Sequence, residues 1–351
     1  MVAMSGGVDS SVAAVILKEQ GYDVVGATIK LWPEYIEPLD EGGCCSLSAV
    51  EDARRVANKL EIPFYVLNMQ AEFQKLVIDR FSAEYARGRT PNPCIECNRS
   101  IKFGKLLSMA KKLDIEYVAT GHYARIHFQD GRYRLLRGTD NHKDQSYTLY
   151  ALGQELLAKI LFPVGEYTKD QIRAKASEIG LRVANKPDSQ EICFIPDNDY
   201  KQFLELHGQV HSQPGDIVDQ QGNVLGRHQG IHNFTIGQRK GLGISAEAPL
   251  YVIDINPETN QIVVGHNLEV FSRSFRVADF TWTSGVTPSA PFTAEAKIRY
   301  HADPHPAEVI PSGDFVQIRF LEPQRAITPG QSAVVYDGEE VLGGGIILSR
   351  D

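Results

Sequence analysis

Residues 1–31 read MVAMSGGVDSSVAAVILKEQGYDVVGATIKL. A short apolar strand runs into Ser5-Gly6-Gly7-Val8-Asp9-Ser10-Ser11 and then straight into an apolar-periodic helix. Strand, glycine turn and helix in that order arrange successive backbone N–H groups around a concavity at a helix N-terminus. The helix dipole adds to those donors and makes an anion site. Asp9 is placed either to cap the helix or to help hold Mg²⁺. The loop has neither the lysine of G-x-x-x-x-G-K-[ST] nor the spacing of G-x-G-x-x-G, so neither common phosphate loop describes it. Only Met1 to Met4 precede Ser5, so the first strand is expected to be unusually short. On its own, a Gly-Gly turn between a strand and a helix is also just a turn.

Outward from this loop the chain alternates strand and helix. DVVGATIKL is strand-like, and SAVEDARRVANKL is a helix opened by a capping box from Ser48 to Glu51. PFYVLNM is a strand, AEFQKLVIDRFSAEYARG a helix ending near Gly88, IKFGKLLSMAKKL a helix and EYVAT a strand. This alternation predicts an α/β domain, a parallel sheet with helices on both faces. A hairpin with QDGR at its tip follows, then helices around 145–180, one opened by a capping box from Thr168 to Gln171. From about residue 200 the chain turns to short strands between Gly, Pro, Asn and Asp turns, and beyond about 270 almost only strands are expected. The predicted domains are 1–196, a catalytic α/β unit; 197–270, a small linking module; and 271–351, a β-barrel.

Composition is that of an ordinary globular protein, 42% hydrophobic and 23% charged. No apolar run is long enough to span a bilayer and no signal-peptide core is present, so the expected location is the cytoplasm with no membrane partner. The net charge of −8 argues mildly against nucleic acid. Yet Arg87, Arg89, Arg99, Lys102, Lys105, Lys111 and Lys112 face only one acid, Glu96, over that stretch, and a local basic surface can steer a polyanion. The alternative is a solvated helix face.

The five cysteines are Cys44, Cys45, Cys94, Cys97 and Cys193. An odd number without a signal peptide does not look like a disulfide framework. GRTPNPCIECNRSIKF sets Cys94 and Cys97 in a Pro-rich loop just before a helix, where basic neighbours favour thiolate. C-x-x-C alone is ambiguous, since zinc needs four ligands and no second pair appears. Cys193, in KPDSQEICFIP, is flanked by apolar residues and would by itself be read as packing. Cys44 and Cys45 have no assigned role.

SGGVDSS resembles the signature of the PP-loop ATP pyrophosphatases, which cleave ATP between the α- and β-phosphates and adenylate a carbonyl oxygen. GRTPNPCIECNRSIKF, ATGHYAR, KDQSYTL, DSQEICFIP, FTIGQRKGLG and KIRY resemble, in order, the motifs of the tRNA-specific 2-thiouridylases (the MnmA/TrmU family). The resemblance covers essentially the whole chain. It implies ATP-dependent 2-thiolation of the wobble uridine of the tRNAs for Lys, Glu and Gln. ATP with Mg²⁺ would adenylate uracil O2, and sulfur would come from a cysteine desulfurase or a sulfur-relay protein. By motif, Cys97 resembles the nucleophile and Cys193 the persulfide carrier, whose terminal sulfur attacks C2 directly or after release as sulfide. Cys97 and Cys193 then close a disulfide. The implied nucleotide contacts are Ala3, Met4, Ser5, Gly6, Gly7, Val8, Asp9, Ser10, Ile29 and Gly121. The implied tRNA contacts are Asn92, Pro93, Cys94, Lys143, Asp144, Gln145, Arg299 and Tyr300. Lys143 and Arg299 could equally be surface charges, and Tyr300 either core or a stacking platform. Relatives often carry Met where Ile29 stands and Asp where Cys94 stands. Cys94 opens a variant in which Cys94, Cys97 and Cys193 ligate a [4Fe–4S] cluster. The alternative enzyme is a PP-loop ligase or amidotransferase using ammonia, which has no use for two reactive cysteines. A non-catalytic RNA-binding protein would release no pyrophosphate.

Overall fold

In the computed structural model, the structure describes residues 1–33, 35–36, 47–186, 192–195, 199–208 and 210–350. Its first sheet has five strands: β1 (Val2–Ala3), β2 (Gly26–Lys30), β3 (Phe64–Asn68), β4 (Val118–Ala119) and, after the hairpin of β5 (Ala124–Gln129) and β6 (Arg132–Arg137), β7 (Ile160–Leu161). Their order is β3-β2-β1-β4-β7, with every pair parallel. Side chains alternate across this sheet, as the strand period of two requires. Val2 and Ala119 join one core with Val12, Ile16 and Ile172. Ala3 and Val118 face the other, with Phe73, Phe81, Ile101 and Leu106. Helices therefore cover both faces, which is what the strand–helix alternation predicts.

Chain order reverses at β1, which pairs with β2 on one side and β4 on the other. In an open parallel sheet, ligands bind outside the carboxyl ends of the strands at such a reversal. The loops leaving β1 and β4 are 4–7 and 120–123, so the glycine loop and Gly121 stand at the crevice.

Two continuous helices, 70–86 and 93–112, lie over the second core, and each contains a π-helical stretch, Gln74–Ile78 and Cys97–Lys105. The second helix starts earlier than expected. Asn92 caps it by accepting from the Cys94 backbone N–H at 3.1 Å, and Pro93 occupies the first turn, a pair of strong start signals. Cys94 and Cys97 therefore sit inside the helix and not in a loop before it. The helices expected around 145–180 are a 3₁₀ turn Ser146–Thr148, a short helix Gln154–Leu157, β7 and the helix Lys169–Glu178. The last opens on the expected capping box between Thr168 and Gln171. The helix Leu47–Lys59 begins before Ser48, which places that residue inside it.

A second sheet, of β8 (Gly215–Val218), β9 (Val224–His228), β10 (Tyr251–Asn256) and β11 (Gln261–Gly265), has the order β10-β11-β8-β9. The C-terminal strands are β12 (Phe271–Trp282), β13 (Phe292–Lys297), β14 (His305–Ser312), β15 (Phe315–Arg325), β16 (Ser332–Asp337) and β17 (Glu340–Arg350). They run β12-β15-β14-β13-β16-β17, and β12 also pairs with β17, which closes the barrel. The hairpin β5–β6 is annexed to this sheet through Leu136 opposite Glu340. Arg132 and Arg134 grip the Glu340 carboxylate at 2.9 and 3.0 Å. All three parts of the chain meet at Thr90. Its N–H donates to Pro329 O (3.0 Å), its carbonyl accepts from Gln331 Nε2 (2.7 Å), and its hydroxyl lies 3.1 Å from that of Thr235.

Candidate active site

The glycine loop is folded on itself. Ser10 Oγ accepts from the Ser5 N–H at 3.1 Å and Ser11 Oγ donates to Gly7 O at 2.8 Å. Met4 is tied to β2 twice: its N–H donates to Ala27 O, and its carbonyl accepts from Thr28 Oγ1, at 2.8 and 2.7 Å. Gly6 has φ +71°, and a Cβ there would stand 2.2 Å from Ala49 O. Gly121 packs against the same turn, where a Cβ would lie 2.6 Å from Ser10 N. Val8 is buried at the head of the helix Val8–Glu19, and Ile29 is buried near the end of β2. Ala3 to Ser10 and Gly121 thus form one continuous rim at the chain reversal.

Asp9 does not cap the helix. Gly7 holds the N-cap position and no side chain closes it. The Asp9 carboxylate instead accepts from Lys169 Nζ at 2.8 Å on each oxygen and from Tyr123 OH at 2.7 Å. Lys169 is only 7% exposed. A second lysine, Lys186, donates to Gly6 O at 3.2 Å and pairs with Asp52 at 3.0 Å. The loop without a lysine is therefore flanked by two, brought in from far along the chain. Sequence reasoning missed Lys169, Lys186 and Tyr123, because no local spacing links them to the loop. His122, beside Gly121, is buried between Phe103 and Phe162, with Nδ1 2.6 Å from Thr120 Oγ1. Burial, and then the charge of Lys102, hold its pKa well below the usual value.

The thiols lie on the other face of β1. Cys97 is 8% exposed and belongs to the core that includes Ile29; Cys193 and Ala3 pack against that same core. Cys193 is half-buried and Cys94 exposed. The 192–195 segment is anchored by Phe194, whose ring meets Phe73, Phe81 and Phe203 edge-on at 5.5, 5.6 and 5.2 Å. Those rings come from the helix 70–86 and the helix Tyr200–His207, so Cys193 is held by apolar packing. Cys44 and Cys45 lie outside the described residues.

The positions read as RNA contacts divide into two groups. Cys94, Asp144 and Tyr300 come together. The Tyr300 hydroxyl donates to Asp144 O at 3.4 Å, and its pKa is raised by burial first, then by Asp144 and Cys94. Lys297, which the sequence reading missed, sits 5.7 and 5.8 Å over the rings of Tyr147 and Tyr300. Asn92, Asp144, Gln145 and Arg299 have their side chains engaged within the protein. Asp144 accepts from Gly138 and Ser146, Gln145 Oε1 accepts from the Tyr123 N–H, and Arg299 donates to Ala326 O and Thr328 Oγ1. Lys143 is half-buried in the turn over Asp140, and Pro93 is buried. Among the described residues, no group of three or more His, Cys, Asp or Glu side chains is placed to hold a metal ion.

A parallel sheet with a glycine loop at its reversal, two lysines at the loop and thiols across β1 define a HUP-type nucleotide domain carrying β-modules. Family profiles match in the same order. The profile of the tRNA methyl transferase HUP domain covers residues 1–197 and that of its PRC-barrel domain 201–266. The profile of the aminomethyltransferase beta-barrel domain covers 272–347. The tRNA-specific 2-thiouridylase MnmA of Carboxydothermus hydrogenoformans is 54% identical, over 100% of this chain and 97% of its own. Those of Acetivibrio thermocellus and Clostridioides difficile are each 54% identical over 99% of this chain, and over 98% and 97% of their own. The chain belongs to the tRNA-specific 2-thiouridylase (MnmA) family.

Proposed function

We propose that this protein catalyses ATP-dependent 2-thiolation of the wobble uridine, position 34, in the tRNAs for Lys, Glu and Gln, in the cytoplasm. The observation that carries the reading is the pairing of an anion loop on β1 with Cys97 and Cys193 on one core beside Ala3 and Ile29. A carbonyl oxygen is a poor leaving group, so O2 of uracil attacks the α-phosphate of ATP and pyrophosphate departs. The terminal sulfur of a Cys193 persulfide then attacks C2 and the C2–O bond breaks, with AMP carrying that oxygen away. Cys97 attacks Cys193 Sγ, the persulfide S–S bond breaks, and the sulfur stays on C2 as 2-thiouridine. The resulting Cys97–Cys193 disulfide is reduced by an external thiol, and a cysteine desulfurase or relay protein reloads Cys193.

The backbone donors at 5–10 would hold the phosphates, with Ile29 and Gly121 bounding the nucleotide. Mg²⁺ would enter with ATP on its phosphates. Asp9 is already neutralised by Lys169, which argues against it as the metal ligand. Exposed Cys94 and the exposed side of the Tyr300–Lys297 group would meet the flipped-out base and its backbone, together with Asn92, Pro93, Lys143, Asp144, Gln145 and Arg299 through backbone or outer edges. The three cysteines do not fit a [4Fe–4S] cluster as placed, since Cys94 is exposed, Cys97 is buried and no such trio gathers among the described residues. The test is incubation of the protein with unmodified tRNA, ATP and a desulfurase with cysteine, followed by mass analysis of nucleosides. 2-Thiouridine is expected with wild type and absent with Cys193→Ser, which keeps adenylation and the release of pyrophosphate. Full thiolation by Cys193→Ser contradicts the persulfide route, and an aminated product in place of 2-thiouridine, formed equally by Cys193→Ser, favours the ammonia-using alternative.

A further inference from the structure

Two hydrogen-bonded routes run from the 138–146 loop to the glycine loop, and both end on Asp9. In the first, Asp140 Oδ2 accepts from the Lys169 backbone N–H at 3.0 Å, and Lys169 Nζ holds both Asp9 oxygens. In the second, Gln145 Oε1 accepts from the Tyr123 N–H, the Gln145 N–H returns a bond to Tyr123 O at 2.9 Å, and Tyr123 OH donates to Asp9. Lys169 Nζ also lies 5.8 Å over the Tyr123 ring, so the routes touch each other.

The electrostatics explain why this matters for a phosphate. Asp9 stands in the first turn of the helix Val8–Glu19, the positive end on which an anion should bind. An uncompensated carboxylate there would repel ATP. Lys169 removes that repulsion only if its ammonium stays over Asp9, and its own backbone is fixed at the start of a helix by the Thr168 capping box and by Asp140. Asp140 also sets the turn that carries Lys143. Its Oδ1 accepts from the His142 N–H and its carbonyl from the Lys143 N–H, both at 3.0 Å.

We propose that Asp140 is a positioning residue for ATP: it holds Lys169 over Asp9 and thereby ties the nucleotide loop to the turn carrying Lys143. The link to RNA rests on the thiolation reading, in which that turn meets tRNA. Chains of hydrogen bonds between two sites carry coupling of this kind.

The test measures ATP affinity by equilibrium dialysis, tRNA affinity by filter binding and the thermal midpoint, for Asp140→Ala, Asp140→Asn, Lys169→Met and the double variant Asp140→Ala/Lys169→Met. Asp140→Ala is expected to weaken ATP binding by about tenfold, the size of one lost charge-assisted bond. The tRNA affinity should fall as well, because the turn that carries Lys143 loses its Asp140 side-chain anchor, while the midpoint should stay close to wild type. Asp140→Asn, which keeps an acceptor for the Lys169 N–H, should recover most of the loss. In the Lys169→Met background Asp140→Ala should add almost nothing, because a residue acting through another is non-additive with it. Unchanged ATP affinity in Asp140→Ala overturns the proposal. So does a loss that adds fully to that of Lys169→Met, or one that follows the thermal midpoint without rescue by Asn. A wild type that binds ATP and makes no 2-thiouridine sinks the functional reading alone, and the ATP measurement still decides this one.

Discussion

At the scale of single residues, the glycine loop is completed by side chains far away in the chain: Lys169 and Tyr123 on Asp9, and Lys186 on Gly6. The turn at Ser5 to Ser11 was readable by local spacing, because two glycines and a helix N-terminus are adjacent in sequence. Lys169, Lys186 and Tyr123 reach the loop only through tertiary packing, and no periodicity marks them beforehand. The reading of Asp9 as a helix cap failed for the same reason, since Gly7 takes the N-cap position and Lys169 takes the carboxylate. His122 gives a testable consequence of burial. Its pKa in the folded protein is held well below the ordinary imidazole value of about 6.5, by burial first and then by the charge of Lys102. Above about pH 6.5 both folded and unfolded forms are neutral and its contribution is fully present. As pH falls below that value the unfolded chain takes a proton that the folded one refuses, and stability is lost at about 1.4 kcal/mol per pH unit. Thermal unfolding between pH 7.5 and 5.5 should show the wild-type midpoint falling more steeply than that of His122→Asn. Equal slopes would mean that the ring is not held neutral.

At the scale of elements, the start of the helix 93–112 could have been placed from sequence. Asn92-Pro93 is a cap followed by proline in the first turn, and reading that pair as a loop moved Cys94 and Cys97 out of the helix that positions them. The helices expected between 145 and 180 were partly overridden by packing: Tyr147 and Tyr150 send their hydroxyls to the carbonyl and hydroxyl of Ser332, at 2.7 and 3.1 Å. The 192–195 segment shows how an element can serve a thiol without touching chemistry. Phe194 is 2% exposed within its aromatic cage, so truncation to Ala should cost about 3–5 kcal/mol. Because Cys193 is the next residue, Phe194→Ala should also uncouple the half-reactions at a temperature where the protein stays folded. In a single turnover pyrophosphate should form at near wild-type rates while 2-thiouridine per pyrophosphate falls at least several-fold. A ratio that stays at the wild-type value would show that the cage does not position the thiol.

At the scale of the whole molecule, the order of parts was legible because composition changes along the chain, from strand–helix alternation to strands alone. What sequence did not reveal is that the hairpin β5–β6 belongs to the barrel sheet, a pairing of Leu136 with Glu340 across some two hundred residues. The same docking brings Tyr300 and Lys297 of the barrel to Cys94, and the Pro329–Gln331 turn to Thr90 just before the helix that carries Cys97. One assembled molecule thus carries the glycine loop, the Cys97 and Cys193 thiols and the Tyr300–Lys297 group, which in the proposed function act on one base. The central claim is that ATP activates the very oxygen that sulfur replaces. It is tested most directly with tRNA carrying ¹⁸O at O2 of the wobble uridine. Mass analysis of the AMP formed in a single turnover should find the label in its phosphate, one atom for each 2-thiouridine made. Unlabelled AMP alongside 2-thiouridine would contradict the account, because the oxygen would then have left by a route that bypasses adenylation.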